Sequence, residues 1–292
     1  MSAVCLYLMN RKGLAVLAAI VERFGAAAVS RVVGAPDPAV RRDYSAEIRE
    51  AAVTAGIPYF ERGGNPPPDG APALAIGWRW LIPSTPHLVV IHDSLLPRYR
   101  GFAPLVSCLV NGEPRIGATA LLAADGYDEG DIVAQASVGV QYPITIARAI
   151  ELLCEVYEKL ALDIVGRIVD GVPLAGTPQD HSQATYSLWR DDEDYRIDWS
   201  EPAARIRRLV DAVGDPYVGA STLVDGRLAR LLGAQEREDV RVENRTPGKV
   251  IFMEDGHPVV VCGEGLLRIE ALIDDETRTS LLPLKKFRTR LR

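Results

Sequence analysis

Two short stretches of this 292-residue chain hold the side chains best suited to chemistry. The first is His92-Asp93-Ser94-Leu95-Leu96-Pro97-Arg98-Tyr99-Arg100-Gly101, which follows the apolar run Leu88–Ile91. An imidazole titrates near neutrality, and open α/β sheets bind their ligands at the carboxyl ends of the strands. A histidine placed there can take up a proton and release it again. The alternative is a histidine that merely hydrogen-bonds its own loop. The second stretch is Asp125-Gly126-Tyr127-Asp128-Glu129-Gly130-Asp131, between the apolar runs Ile116–Leu122 and Ile132–Val140. Its glycines permit tight turns, and a carboxylate beside an imidazole fixes the tautomer and favours the charged ring. Together they suit removal of a proton from an amine and its later return. A solvated acidic hairpin tip is the alternative for this segment.

Other chemistries have less support. Cys5, Cys108, Cys154 and Cys262 stand alone, and His87, His92, His181 and His257 make no HExxH pattern, so no metal site is expected. Isolated cysteines make a reduced, cytoplasmic compartment the default. With 33 basic and 39 acidic residues the net charge is −6, which argues against a chain-wide phosphate-binding surface. The basic tail Lys285, Lys286, Arg288, Arg290 and Arg292 is the local exception, and is read as a solvated end. Apolar residues make up 48% and charged residues 25%, the composition of an ordinary globular core and not of a disordered chain. No apolar run reaches the ~18–20 residues that span a bilayer. The opening MSAVCLYLMNRKG lacks the basic lead of a secretory signal and reads as a first buried strand.

Those two stretches need a scaffold. Strand-like runs at Ala3–Met9, Ala27–Val33, Ala73–Ile76 and Leu88–Ile91 alternate with helical spacing at Gly13–Phe24 and Asp43–Ala55. This alternation implies βαβ crossovers and a mostly parallel sheet. A helix is expected over Phe102–Val110, and Thr145–Asp170 carries the longest apolar stripe, from Ile146 to Ile164. A Pro/Gly/Ser-rich connection over 173–184 and a mixed acidic and aromatic stretch, 186–199, come next. After a helix over Pro202–Val213 the pattern turns to strands with Asp-Gly turns at 225–226 and 255–256. The expected organisation is an α/β domain over 1–185, a connecting segment over 186–204, and a small β-barrel-like domain over 205–292.

The run HxSLLPxYRG does not stand alone. Pro104 follows it, then Asn111-Gly112-Glu113, the strand residues Gly117 and Thr119, and Asp128-Glu129-Gly130-Asp131. Together these closely resemble the 10-formyltetrahydrofolate-dependent formyltransferases, which act on methionyl-tRNA, glycinamide ribonucleotide or sugar nucleotides. Ile197-Asp198-Trp199 and Asp215-Pro216-Tyr217 with Gly219-Ala220 resemble the start of that family's C-terminal domain. The resemblance covers nearly the whole chain and is strongest over 72–140. It implies a Rossmann-like sheet followed by an OB-like barrel, with 10-formyltetrahydrofolate as formyl donor and no metal. It assigns His92 as general acid and base, supported by Asp128. It places Trp80, Leu81 and Ile82 on one side of the folate and Asp125, Gly126, Tyr127 and Asp128 on the other, with Ser94, Leu95, Leu96 and Pro97 as the turn beneath the formyl group. Core packing is the alternative for Trp80 through Ile82.

One position departs from the pattern. The family carries an Asn two residues before the His, and Val90 stands there. A valine offers no donor to the developing oxyanion, and losing one such donor typically costs about 2.7–4 kcal/mol. Three readings follow: another donor (Ser94, Thr85, His87 or a water) replaces it; the reaction is altered to a hydrolysis or a condensation; or the domain binds folate without catalysis. The complete His–Asp pair favours a working enzyme.

For the acceptor, residues 201–292 hold 16 basic and 15 acidic residues, a balance of +1 that favours a small-molecule amine over nucleic acid. An amino sugar nucleotide or an amino-acid-derived amine is the main expectation, with methionyl-tRNA as the alternative. Trp78, Trp189 and Tyr195 are candidates to stack on a base or sugar, and a homodimer is left open.

Overall fold

The computed structural model describes residues 2–64, 72–82 and 87–292. These form two compact units, one built from Met1–Leu105, Pro114–Val140 and Arg148–Leu188, the other from Val106–Glu113, Gln141–Ala147 and Trp189–Arg292.

In the first unit the chain runs β1 (Val4–Leu8), α1 (Asn10–Phe24), β2 (Val29–Gly34), α2 (Ser45–Thr54), β3 (Tyr59–Glu61), β4 (Ala73–Ile76) and β5 (Leu88–His92). It continues through β6 (Arg100–Gly101), β7 (Arg115–Leu122), β8 (Ile132–Gly139), α4 (Ile146–Val169) and β9 (Tyr186–Ser187), while α3 (Pro104–Asn111), between β6 and β7, falls mostly in the second unit. Seven strands make one sheet in the order β3-β2-β1-β4-β5-β7-β8. The pairs from β3 to β5 are parallel, whereas β5–β7 and β7–β8 are antiparallel. All four residues of β4 are buried, as expected of a strand covered on both faces. α1 buries Gly13, Val16, Leu17 and Ile20, the stripe of a 3.6-residue period, together with the stem of Lys12. The expected mostly parallel Rossmann-like sheet is therefore present.

Two details of this sheet matter for the site. Side chains alternate along β5, so Leu88, Val90 and His92 share one face while Val89, Ile91 and the following Asp93 take the other. The β7–β8 connection leaves level with the start of β5, where Ala123 N–H donates to the Leu88 carbonyl at 2.9 Å. It must fold back over the sheet to reach His92.

The second unit contains α5 (Ala203–Ala212) and an antiparallel sheet of β10 (Ala220–Val224), β11 (Arg227–Arg237), β12 (Val250–Glu254), β13 (His257–Val261) and β14 (Leu266–Asp274). Its order is β10-β11-β14-β13-β12. The expected barrel is not seen as a closed ladder, because no pairing joins β10 to β12 among the described residues. The last residues of the chain lie there instead. Leu223 and Arg292 exchange backbone hydrogen bonds at 2.7 and 3.1 Å, and Val250 N–H donates to the Thr289 carbonyl at 3.2 Å. This corrects the reading of the tail as a solvated end: Thr289 and Leu291 are buried, while Lys285, Lys286, Arg288, Arg290 and Arg292 remain exposed. The two-residue period of an edge strand lets the apolar side pack and leaves the cations in water.

Candidate functional site

β5 ends on His92, 9% exposed. The Tyr99 carbonyl, 2.9 Å from Nε2, can only accept, so Nε2 carries the proton. The imidazole therefore does bond its own loop, and that bond leaves Nδ1 as the nitrogen able to gain and lose a proton. Nδ1 faces Asp128 Oδ1 at 3.5 Å, a charge contact longer than a hydrogen bond. The two readings of His92 that the sequence left open are thus both present in the geometry, one at each ring nitrogen.

Asp128 is held from several directions. Gly101 N–H donates to its Oδ2 at 2.8 Å, and Gln179 Nε2 donates to the carbonyls of Asp128 and Gly130, both at 2.8 Å. Gln179 Oε1 accepts in turn from Arg100 Nη2 at 2.7 Å, and the Arg100 side chain, 1% exposed, also reaches Glu129 at 3.3 Å. Asp128 itself adopts φ 54°. Gly130 is required by a close approach, since a Cβ there would lie 1.7 Å from the Leu122 carbonyl oxygen. Asp125 and Tyr127 are exposed and Gly126 half-buried, so only part of the acidic segment is the solvated tip of the alternative reading.

The turn that carries the motif is tied down by polar groups. Thr119, paired with His92 across β5 and β7, donates through Oγ1 to the Ser94 carbonyl at 2.7 Å and accepts from Leu96 N–H at 3.1 Å. Gln135 Nε2 contacts the Leu96 carbonyl and Thr119 Oγ1, both at 2.8 Å. Leu96 is buried, Leu95 and Pro97 are half-buried, and the Leu96–Pro97 peptide is cis.

The candidates for a replacement oxyanion donor fare differently. Ser94 is buried and its hydroxyl donates to the Arg98 carbonyl at 2.7 Å, so it is engaged in the turn. His87 precedes the amino end of β5, about 16 Å of extended chain from His92. Thr85 lies outside the described residues. Val90 is half-buried on the same face as His92. Trp80 packs edge-on to Trp78 at 5.3 Å with the Arg62 guanidinium 4.0 Å over its ring, Leu81 is 90% exposed, and Ile82 is half-buried. Trp78 packs in turn against Tyr7 at 5.1 Å. Leu81 is thus free of the core and open to a ligand, whereas Trp78 belongs to the packing. Among the described residues no group of three or more His, Cys, Asp or Glu side chains is arranged to hold a metal.

Sequence reasoning missed a cluster on the opposite face of β5. Lys12, at the start of α1, forms an ion pair with Asp93, and the Tyr157 hydroxyl of α4 lies 2.5 Å from Asp93 Oδ1 and 2.9 Å from the Ile91 carbonyl. Burial pushes the Asp93 carboxyl up, but the charge and hydrogen bond of Lys12 and the Tyr157 hydroxyl outweigh it and hold it below the usual carboxylate range. Burial, and then the Asp93 charge, raise the Tyr157 phenol well above its ordinary value. Arg100, Gln179, Thr119 and Gln135 were missed as well. Of these only Arg100 and Thr119 lie in a motif, and no spacing rule points to the others.

A Rossmann-like sheet with an imidazole at the carboxyl end of β5, facing a carboxylate held on a folded-back loop, defines the class as an α/β protein with its polar site at the end of a parallel strand. Residues 80–153 match the formyl transferase family model and residues 190–281 match the formyl transferase C-terminal domain, so the chain belongs to the formyl transferase family. It is similar to the methionyl-tRNA formyltransferase of Fervidobacterium nodosum, 37% identical over 190 residues, which are 62% of this chain and 57% of that protein. The corresponding enzyme of Carboxydothermus hydrogenoformans is 35% identical over 180 residues, again 57% of its length. The chain therefore spans less than two thirds of these curated relatives. Its fold resembles the crystal structure of WlaRD, a sugar 3N-formyl transferase, in the presence of dTDP and 5-N-formyl-THF (TM-score 0.68, 15% identity, 92% of this chain and 97% of that one). It also resembles HypX from Aquifex aeolicus in complex with tetrahydrofolic acid (TM-score 0.60, 19% identity, 94% and 44%).

Proposed function

We propose that this protein is an N-formyltransferase that moves a formyl group from 10-formyltetrahydrofolate to a primary amine. The observation that carries the reading is the approach of His92 Nδ1 to within 3.5 Å of Asp128, with Nε2 committed to the Tyr99 carbonyl. The donor supplies a formyl carbon on a nitrogen that can leave. His92 Nδ1 accepts the proton from the attacking amine, and Asp128 balances the charge of the doubly protonated ring. As the carbon–nitrogen bond to the donor breaks, the same proton passes to the departing nitrogen, and His92 returns to its starting state. The Tyr99 carbonyl keeps the other ring proton in place, so a single nitrogen does both transfers. The exposed Leu81 and Asp125 lie on the open sides suited to folate, while the Tyr127 ring turns to Phe102.

For the acceptor, the favoured reading is an aminoacylated tRNA of the methionyl class, and no longer the small amine expected from charge balance. Its support is the name carried by the curated relatives and the exposed basic row of the tail. None of those five side chains forms an ion pair among the described residues, and alternate residues of an extended chain stand about 6.6 Å apart, close to the spacing of successive phosphates. A small amine remains the second reading, supported by the +1 balance of residues 201–292.

The test offers the protein, with 10-formyltetrahydrofolate, either methionyl initiator tRNA or an amino sugar nucleotide. Formylated methionyl-tRNA is expected, with log affinity falling against log salt by about 0.9 per phosphate contacted. Replacing Arg288, Arg290 and Arg292 by Gln should flatten that slope by two to three. Formylation of the sugar nucleotide alone, or tRNA binding insensitive to salt, would overturn the tRNA reading. No formyl product with any amine would overturn the transferase reading.

A further inference from the structure

We propose that Phe102 and Tyr127 form a stacking platform for a planar ring carried by the acceptor, in chemical class a nucleobase; this rests on the formyl-transfer reading above. Both rings face water, Phe102 at 49% and Tyr127 at 72% exposure, although each adjoins a residue of the hydrogen-bonded Gly101–Asp128 contact. Their centroids are 6.5 Å apart and the planes are tilted by 48°, so they form one continuous apolar surface. Aromatic rings of this size are normally buried, and a pair left exposed marks a place where something else covers them.

Their position gives the pair its meaning. Phe102 follows Gly101, whose N–H holds Asp128 Oδ2 at 2.8 Å, and Tyr127 immediately precedes Asp128. The two rings are therefore attached on either side of the carboxylate that faces His92. Phe102 N–H donates to the Ser187 carbonyl at 2.9 Å, and the neighbours of Ser187, Tyr186 and Leu188, are 64% and 74% exposed, which extends the apolar rim.

Two observations narrow the ligand. Asp125, Glu129 and Asp131 carry negative charge on the same loop, and the Arg100 guanidinium is buried among Gln179, Glu129 and His181. A phosphate would meet repulsion there, whereas a neutral ring would not. Trp80, on the segment expected to meet the folate, turns to Trp78 and Arg62 and not toward Tyr127. That segment continues from β4 and Tyr127 from the β7–β8 connection, and these strands flank β5 on opposite sides. The donor and the acceptor ring thus have separate walls.

The experiment measures adenosine binding by fluorescence and by saturation-transfer NMR on the full chain, with ribose 5-phosphate as the probe that lacks a base. Variants are Phe102→Ala and Tyr127→Ala, with Phe102→Tyr and Tyr127→Phe as conservative controls. Adenosine is expected to bind the wild type and ribose 5-phosphate is not. Each alanine variant should weaken adenosine by about 5- to 100-fold, the range for loss of one base–aromatic stack, and the conservative variants should keep it. Affinity for 5-formyltetrahydrofolate, read on Phe102→Ala, should stay within about twofold. Equal adenosine binding by wild type and both alanine variants, or a loss of folate affinity in Phe102→Ala in place of the adenosine effect, would overturn the platform. Because nucleoside binding needs no turnover, its loss is separable from a failure of formyl transfer. A protein that binds adenosine through these rings yet formylates no amine would retain the platform and refute the transferase.

Discussion

Asp93→Asn isolates the ion pair beneath the catalytic strand. The substitution keeps the shape of the side chain, removes its charge, and leaves the Lys12 ammonium with only a neutral amide. The Lys12 and Asp93 side chains are 11% and 20% exposed, so the pair is mostly desolvated. Breaking a fully buried pair by removing one partner costs about 3–5 kcal/mol. Because a fifth of the Asp93 side chain reaches water, the cost is discounted below that range, to about 2–4 kcal/mol. At about 2–4 °C per kcal/mol for a domain near 200 residues, the melting temperature should fall by roughly 5–15 °C at pH 7. The pH dependence follows from the direction of the shift. Asp93 is held below the usual carboxylate value in the folded state, so its contribution is complete above the unfolded value of about 3.9 and disappears as pH falls through the folded value. The gap between wild type and Asp93→Asn should therefore be full at pH 7 and close on acidification below about pH 4. The double variant Lys12→Met/Asp93→Leu should recover much of the loss, since no lone charge remains buried. Differential scanning calorimetry across pH reads all three. A melting temperature within 1 °C of wild type at pH 7, or a gap that does not narrow in acid, would refute the reasoning.

Two other substitutions probe the site. Gly130→Ala puts a Cβ at 1.7 Å from the Leu122 carbonyl oxygen, so the loop must shift and carry Asp128 with it. Formyl transfer should drop by about 10²-fold, as for a misplacement near 1 Å, and an unchanged rate would mean the loop does not position Asp128. Val90→Asn supplies an amide on the His92 face of β5 and should raise the transfer rate by up to about 10²–10³, while an unchanged or lower rate would show that another group already serves the oxyanion.

The sheet and helices of the first unit were legible because each buried strand is a short apolar run and α1 and α4 carry continuous stripes. β4 and β10 have the bounds read from the apolar runs or nearly so, and α4 starts one residue after Thr145. β3 was not legible, since Tyr59–Glu61 is three partly exposed residues on the sheet edge and has no apolar run to mark it. The C-terminal closure was misread for a similar reason. Thr289 and Leu291 are buried one residue apart among five cations, and a composition count sees only the charge. At the site, His92 and Asp128 could be paired from the motif, but their restraints could not. Lys12 is 81 residues from Asp93, Gln179 is 51 from Asp128, and Tyr157 sits on the apolar stripe of α4, where it reads as core. Long-range polar contacts of this kind leave no periodic trace. Asp93 fills a variable position of the motif, and only its partner on α1 gives it a role.

Formyl transfer in this protein is proposed to depend on the proton carried by His92. Its most direct test is the single-turnover rate of formyl transfer from 10-formyltetrahydrofolate to the amine acceptor in wild type, His92→Ala and Asp128→Asn, with folding checked by circular dichroism. A fall of about 10²–10⁴-fold in both variants, with folate still bound, is the predicted result. Folded variants that transfer formyl groups within twofold of the wild-type rate would contradict it.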